Sequence, residues 1–248
     1  VLSYKSTIVF NWGGDNFKPM PSECAIVASQ NGTIVTITPS ILVCGHPAGV
    51  PYTVVLNAGN TYQLQGNPDL TGTKVTANKP IAVFGAHAGA FVPEPTAAQD
   101  YLVEQLPPTS TWGKKFCTLP LATRANGDTF RILASVNGTV VNISGIGSVT
   151  LNAGQSYEYL QASPGYISAN FPVLVAQYAN GLAYDGNAYA DPFMMLVPAT
   201  KQFVKDYSLT TPVPGGPAVP IQFTYFTNYL NLVVPSSTFP LTDNGAPI

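Results

Sequence analysis

Few side chains in this sequence suit nucleophilic or metal chemistry: two histidines, His46 and His87, and three cysteines, Cys24, Cys44 and Cys117. A Ser-His-Asp triad therefore has only two possible bases, and no Gly-x-Ser-x-Gly elbow presents a nucleophilic serine. His87 closes an apolar run in Gly85-Ala86-His87-Ala88-Gly89. A histidine bonded to a nearby carbonyl is expected there, so it is kept as a candidate ligand contact and not as a base. Cys44-Gly45-His46 has no second pair to complete a tetrahedral metal site, His46 reads as solvated, and no zinc spacing or Cys-x-x-Cys occurs. Glu94, Asp100, Glu104 and Asp128 are acids a glycosidase could use, yet their spacing pairs none of them. An enzyme is not expected; a hydrolase with an unrecognised site is the more distant alternative.

Binding chemistry is better represented. Residues 177–191 form a Gly/Asn/Asp-rich stretch between two apolar runs, and it carries Tyr178, Tyr184 and Tyr189 beside Asp185 and Asn187. Tyrosine mixed with Asn, Gly and Asp is the composition of antibody paratopes, where a rigid aromatic face sits beside adaptable hydrogen bonding. The competing reading is a plain surface loop whose tyrosines pack on the scaffold. Asp185, Asn187 and Asp191 could also offer oxygens to Ca²⁺, though not at EF-hand spacing; no other cofactor is expected. Trp12, in Asn11-Trp12-Gly13-Gly14-Asp15-Asn16-Phe17, marks a second aromatic, Gly-rich loop.

The elements that must hold these loops are strands. Pro or Gly interrupts almost every ten-residue window and no helical apolar period is sustained. Thr33-Ile34-Val35-Thr36-Ile37, Thr53-Val54-Val55-Leu56, Thr139-Val140-Val141-Asn142-Ile143 and Ser148-Val149-Thr150-Leu151 alternate as strands do. The chain of 248 residues is 46% hydrophobic but only 9% charged, against about 25% in an average soluble domain. Such a surface is wetted by hydroxyls and amides, as in secreted β proteins. A net charge of −2 without any Lys/Arg run argues against nucleic acid and against an anionic membrane surface. No apolar stretch reaches the roughly 20 residues of a membrane span. The opening Val1-Leu2-Ser3-Tyr4-Lys5 lacks the layout of a signal peptide, so any export signal lies outside these residues.

The sequence also repeats itself. Residues 26–37, Ile-Val-Ala-Ser-Gln-Asn-Gly-Thr-Ile-Val-Thr-Ile, match residues 132–143, Ile-Leu-Ala-Ser-Val-Asn-Gly-Thr-Val-Val-Asn-Ile. Leu56-Asn57-Ala58-Gly59 matches Leu151-Asn152-Ala153-Gly154, and residues 75–83 match residues 167–175 through Ala77-Asn78 and Ala169-Asn170. The blocks lie closer together in the second copy, which places an extra loop in the first around Cys44-Gly45-His46-Pro47. A disulfide between Cys24 and Cys44 closing that loop is expected, with Cys117 a buried thiol. Asn31-Gly32 and Asn137-Gly138 read as two-residue type I′ hairpins; this accounts for the sequons at Asn31 and Asn137, and a third stands at Asn142. Leu106-Pro107-Pro108-Thr109 with Trp112-Gly113-Lys114-Lys115-Phe116 resembles Leu196-Val197-Pro198-Ala199 with Phe203-Val204-Lys205-Asp206-Tyr207, the start of a third copy. The expected architecture is all-β: tandem antiparallel β-sandwich units over 1–106 and 107–197, and a partial third over 198–248. An unpaired edge strand in the third would favour a homo-oligomer.

Three stretches carry a family resemblance. Residues 79–87, Lys-Pro-Ile-Ala-Val-Phe-Gly-Ala-His, residues 103–113, Val-Glu-Gln-Leu-Pro-Pro-Thr-Ser-Thr-Trp-Gly, and residues 191–198, Asp-Pro-Phe-Met-Met-Leu-Val-Pro, resemble the N-terminal domain family of IgG Fc-binding protein. The low-charge, Thr/Asn-rich composition resembles bacterial surface and secreted members. The cysteine pair usual in the family after the Gly-His is missing, since Ala88 to Asp100 contains no cysteine. The resemblance implies a secreted or cell-surface adhesion module that binds a protein or glycan through loops on a β scaffold. It supplies no ligand-binding residues that transfer. A structural spacer without its own ligand is the first alternative.

Overall fold

The structure, a computed structural model, describes residues 1–5, 11–12, 15–16, 20–96, 98–186, 191–210, 229–234, 242–243 and 246–247. Val1–Phe203 form one compact unit and Val204–Ile248 a second. The first unit opens with β1 (Asn11–Trp12) paired to β2 (Asp15–Asn16). Then come β3 (Ser22–Ala28), β4 (Thr33–Thr38), β5 (Tyr52–Leu56), β6 (Thr61–Gly66), β7 (Lys74–Ala77), β8 (Ile81–Phe91) and β9 (Gln99–Gln105). They are followed by β10 (Gly113–Thr118), β11 (Asp128–Ala134), β12 (Thr139–Ile143), β13 (Gly147–Leu151), β14 (Ser156–Gln161), β15 (Gly165–Ala179), the short helix α1 (Leu182–Asp185) and β16 (Phe193–Leu196). In the second unit β17 (Thr242–Asp243) pairs with β18 (Ala246–Pro247). The chain is all-β, and the described ladders are antiparallel.

The alternating residues decide which faces are buried. In β4, Thr33, Val35 and Ile37 point inward while Ile34 is 46% exposed. Strands β6-β3-β8-β9 form one sheet and β5-β4-β7 another, and Cys24, Ile26 and Leu64 of the first pack on Val35, Ile37 and Leu56 of the second. Further along, β14, β11, β15 and β16 pair in the matching order, as do β13, β12 and β15. Here β15 is long enough to serve both layers: its first half pairs with β12 and its second with β11. Pro172 lies inside β15, between Ala169, the last partner of β12, and Val173, the first of β11, where its missing N–H interrupts neither ladder. Phe116, Phe130, Ile132, Val141, Ile167 and Val175 fill this second core. A third cluster joins the two halves, with Leu2 and Tyr4 packed among Leu102, Trp112, Leu133, Leu174 and Tyr178.

The Asn-Gly turns are not hairpins. β3 and β4 lie in different sheets, so Asn31-Gly32 carries the chain across the core. Asn31 is absent from the residues with positive φ, whereas Gly32 has φ +63°; a type I′ turn would need both. The asparagines hold instead by reciprocal bonds. Asn31 Oδ1 accepts from the Ala58 N–H at 3.0 Å and Asn57 Oδ1 from the Gly32 N–H at 3.1 Å. Asn137 and Ala153 at 2.9 Å, and Asn152 and Gly138 at 3.2 Å, make the same clasp. Asn78 and Asn170 add a third tie, each accepting at 2.8 Å from the N–H of Ile34 and Val140 respectively. The repeated sequence blocks are thus the points where each half is laced together.

The extra loop falls where its spacing placed it, between β4 and β5, but it is not closed by a disulfide. Cys24, Cys44 and Cys117 are all free thiols. Cys24 points from β3 into the core, fully buried, while Cys44 stands exposed at φ +50° with its Sγ 3.9 Å from the Gln65 carbonyl. One thiol is in the core and the other at the surface, so no bridge joins them. Cys117 is half-buried rather than buried. Burial pushes the Cys24 thiol up to about 11. A thiol reagent at neutral pH is therefore expected to modify Cys44 rapidly and Cys24 only on unfolding, as mass spectrometry of the labelled peptides would show.

Candidate functional site

The tyrosine-bearing loop is tied down by its own polar groups. Asp185, with its side chain wholly inaccessible, pairs with Arg124 at 3.1 Å, and Arg124 also donates to the Asn180 carbonyl at 2.9 Å. Asn126 donates from its side chain to the Tyr184 carbonyl at 2.6 Å and from its backbone to Asp185 Oδ1 at 3.3 Å. Gly186, at φ +66°, ends α1. The Asp185 carboxylate therefore holds the loop. Tyr184 is half-buried and Asp191 exposed. Asn187 and Tyr189 lie outside the described residues; Trp12 is in β1, with its side chain outside the description.

Tyr178 and His87, both singled out as candidate ligand contacts, belong to the interior. Tyr178 is wholly buried, its ring centroid 4.9 Å from that of Tyr4 and its hydroxyl donating to the Ser3 carbonyl at 2.9 Å. Beside it, Arg131 joins the two halves. Its Nη2 meets Asp69 at 2.8 Å, its Nη1 reaches the Ser3 carbonyl at 2.6 Å, and its guanidinium lies 4.9 Å from the Tyr4 ring centroid. Glu158 approaches Arg131 Nε at 2.9 Å, as an ion pair not aligned as a hydrogen bond, and also meets Lys5 at 3.2 Å.

His87 is fully buried, and its Nδ1 accepts from the Gly89 N–H at 3.1 Å instead of a ring N–H donating to a carbonyl. Nε2 then carries the proton, without a partner among the described residues. Burial lowers its pKa from 6.5 to about 4, opposed by Asp69 and Glu94 and assisted by Arg131. The unfolded chain takes up this proton below pH 6.5 and the folded one only near 4, so stability falls as pH drops through that window. The expected loss is about 3 kcal/mol. Urea midpoints between pH 7 and pH 4 should show it, and His87→Asn, which keeps an acceptor, should flatten the slope.

The open concavity of the first unit lies elsewhere. A groove of about 980 Å³ runs between the halves. β7 forms one wall, Leu133–Val136 with the Ala153-Gly154 turn forms another, and Leu106, Pro107, Pro108, Thr109 and Trp112 form the third. The Trp112 indole donates to the Pro107 carbonyl at 3.1 Å and the Thr111 hydroxyl to the Pro108 carbonyl at 2.9 Å, which folds the Pro-Pro segment into a rigid wall. Trp112, only 8% exposed, also lines a neighbouring hollow of about 270 Å³. Lys74 and Lys79 are the charged side chains among the described residues that line the larger groove, and Lys79 Nζ donates to the Asn31 carbonyl at 2.6 Å.

The stretch that shapes this wall is the same Leu106…Trp112 element that carries the most distinctive resemblance. A family model described as IgGFc binding protein matches residues 4–247. The chain belongs to this family. The human (Homo sapiens) IgGFc-binding protein is 34% identical over 201 residues, covering 78% of this chain and 4% of that protein. This chain thus spans a small part of its relative's length. No solved structure matches. Within this family member the groove was not evident beforehand, because its walls come from segments far apart in sequence. The Pro-Pro…Trp element was the one visible signal. Among the described residues no helix is long and apolar enough to cross a membrane.

Proposed function

We propose that this family member is an extracellular, non-catalytic module that binds a protein ligand in the groove between its two β halves, which we read as duplicated units. The observation carrying this reading is the groove itself: a concavity of about 980 Å³ with a rigid Pro-Pro…Trp wall supplied by the family-like element. Size and a mixed apolar and polar lining are the usual features of a binding site. The matched relative's name refers to IgG Fc, which makes immunoglobulin Fc the first ligand to test. Val136, 38% exposed in the groove wall, can be changed without removing core packing. Val136→Arg is expected to weaken Fc binding by at least about tenfold in surface plasmon resonance, while Tyr184→Ala, outside the groove, leaves it unchanged. Equal binding by Val136→Arg would move the site out of the groove, and no binding by the unaltered chain would remove this reading in favour of a spacer.

A further inference from the structure

We propose that Asn31 and Asn137 are sites of self-modification by deamidation, held unreactive by Asn57 and Asn152, their partners in the two clasps. Asparagine is a thermolabile residue, most of all before glycine, whose backbone nitrogen is unhindered. That nitrogen, once its proton passes to solvent, attacks the asparagine Cγ. The new N–C bond closes a succinimide ring, the Cγ–Nδ2 bond breaks, and ammonia departs. Water then opens the ring to aspartate, or to isoaspartate, whose main chain is one methylene longer. Water is the only other reactant, so local geometry sets the rate. The sequence holds five Asn-Gly pairs, beginning at Asn31, Asn126, Asn137, Asn180 and Asn244; the last lies outside the described residues.

In each of the other four, the glycine N–H and the asparagine side chain are both engaged. The Gly32 N–H donates to Asn57 Oδ1 at 3.1 Å while Asn31 Oδ1 accepts from the Ala58 N–H at 3.0 Å. Gly138 and Asn137 do the same with Asn152 and Ala153, at 3.2 Å and 2.9 Å. The Gly127 N–H donates to the Arg124 carbonyl at 3.2 Å, and Asn126 Nδ2 to the Tyr184 carbonyl at 2.6 Å. The Gly181 N–H donates to the Val92 carbonyl at 2.7 Å. Asn180 beside it accepts from the Thr129 hydroxyl at 2.7 Å and donates to the Gly127 carbonyl at 2.8 Å. A glycine nitrogen held this way keeps its proton, and an amide held by a remote partner is not free to swing onto that nitrogen. Reaction therefore waits on local opening. Asn180 is also buried away from water, whereas Asn31, Gly32, Asn137 and Gly138 are exposed. At these two turns the clasp is the barrier. Its other arm is Asn57-Ala58 or Asn152-Ala153, where the alanine side chain hinders ring closure, so the less labile pair guards the more labile one. Isoaspartate at either turn would lengthen the chain and unlace the half in which it formed.

The test incubates the whole chain at body temperature and mildly alkaline pH, folded and, in parallel, unfolded in urea. Aspartate and isoaspartate at each pair are then measured by mass spectrometry of digested peptides. The four described pairs are expected to react at least about tenfold more slowly in the folded chain. Asn57→Ala should raise the rate at Asn31 about fivefold and leave Asn137 unchanged, and Asn152→Ala should do the reverse. Asn57→Asp, which keeps an acceptor for the Gly32 N–H, should restore the resistance of Asn31. Each variant thus carries the other clasp as its control for folding. Should Asn57→Ala unfold the chain, all four rates rise together, and Asn152→Ala makes the same test in the second half. Equal rates in the folded and unfolded chain, or an Asn31 rate unmoved by Asn57→Ala in a folded chain, would overturn the proposal.

Discussion

Arg131→Ala is expected to destabilise the first unit by about 3–5 kcal/mol, the usual cost of leaving a buried charge network without its centre. Arg131 is 6% exposed in its side chain and holds Asp69 at 2.8 Å and Glu158 at 2.9 Å. It also donates to the Ser3 carbonyl at 2.6 Å and lies against the Tyr4 ring. Removing it takes the guanidinium from two carboxylates, leaving Glu158 only Lys5 and Asp69 the Thr71 N–H, and it loosens the segment of residues 1–5 that packs between the halves. The network fixes how the halves meet more than it adds net stability. The triple variant Arg131→Met, Asp69→Asn, Glu158→Gln should therefore recover much of the loss. Urea unfolding followed by tryptophan fluorescence measures both; a single-variant cost below about 1 kcal/mol would show that the network is not what joins the halves.

Gly72→Ala should cost about 2–4 kcal/mol by the same measurement, combining backbone strain with overpacking. Gly72 has φ +93°, and an added Cβ would lie 2.3 Å from the carbonyl oxygen of Gly154. Backbone from the first half touches backbone from the second there, at one end of the groove. Gly138 is the control, since it has φ +68° and open space around its missing Cβ. Gly138→Ala should cost about 1 kcal/mol. Equal costs at both positions would mean that the close approach of Gly72 to Gly154 carries no energy.

The all-β class was legible because alternating runs such as Thr33–Ile37 state which side of each strand is buried. The repeated Asn-Gly-Thr, Leu-Asn-Ala-Gly and Ala-Asn blocks were legible as blocks, but their roles were not. An Asn-Gly between two apolar runs is the local mark of a hairpin, and local pattern does not say that β3 and β4 enter different sheets. The expected Cys24–Cys44 bridge failed for a similar reason: loop length gives proximity along the chain but not the direction of a side chain. Tyr178 and Asp185 looked like ligand contacts by composition. Their partners, Ser3, Tyr4 and Arg124, lie distant in sequence, so nothing near them signalled that they were engaged. The groove depends on β7, the Pro-Pro wall and the Leu133–Val136 stretch at once, and only the wall announced itself.

Hydrogen exchange with and without immunoglobulin Fc, read peptide by peptide, tests the groove most directly. The account predicts that bound Fc slows exchange in Lys74–Ala77 and around Leu106–Trp112 and leaves the Leu182–Asp185 loop unchanged. Protection confined to the Leu182–Asp185 loop, with β7 exchanging as freely as before, would contradict it.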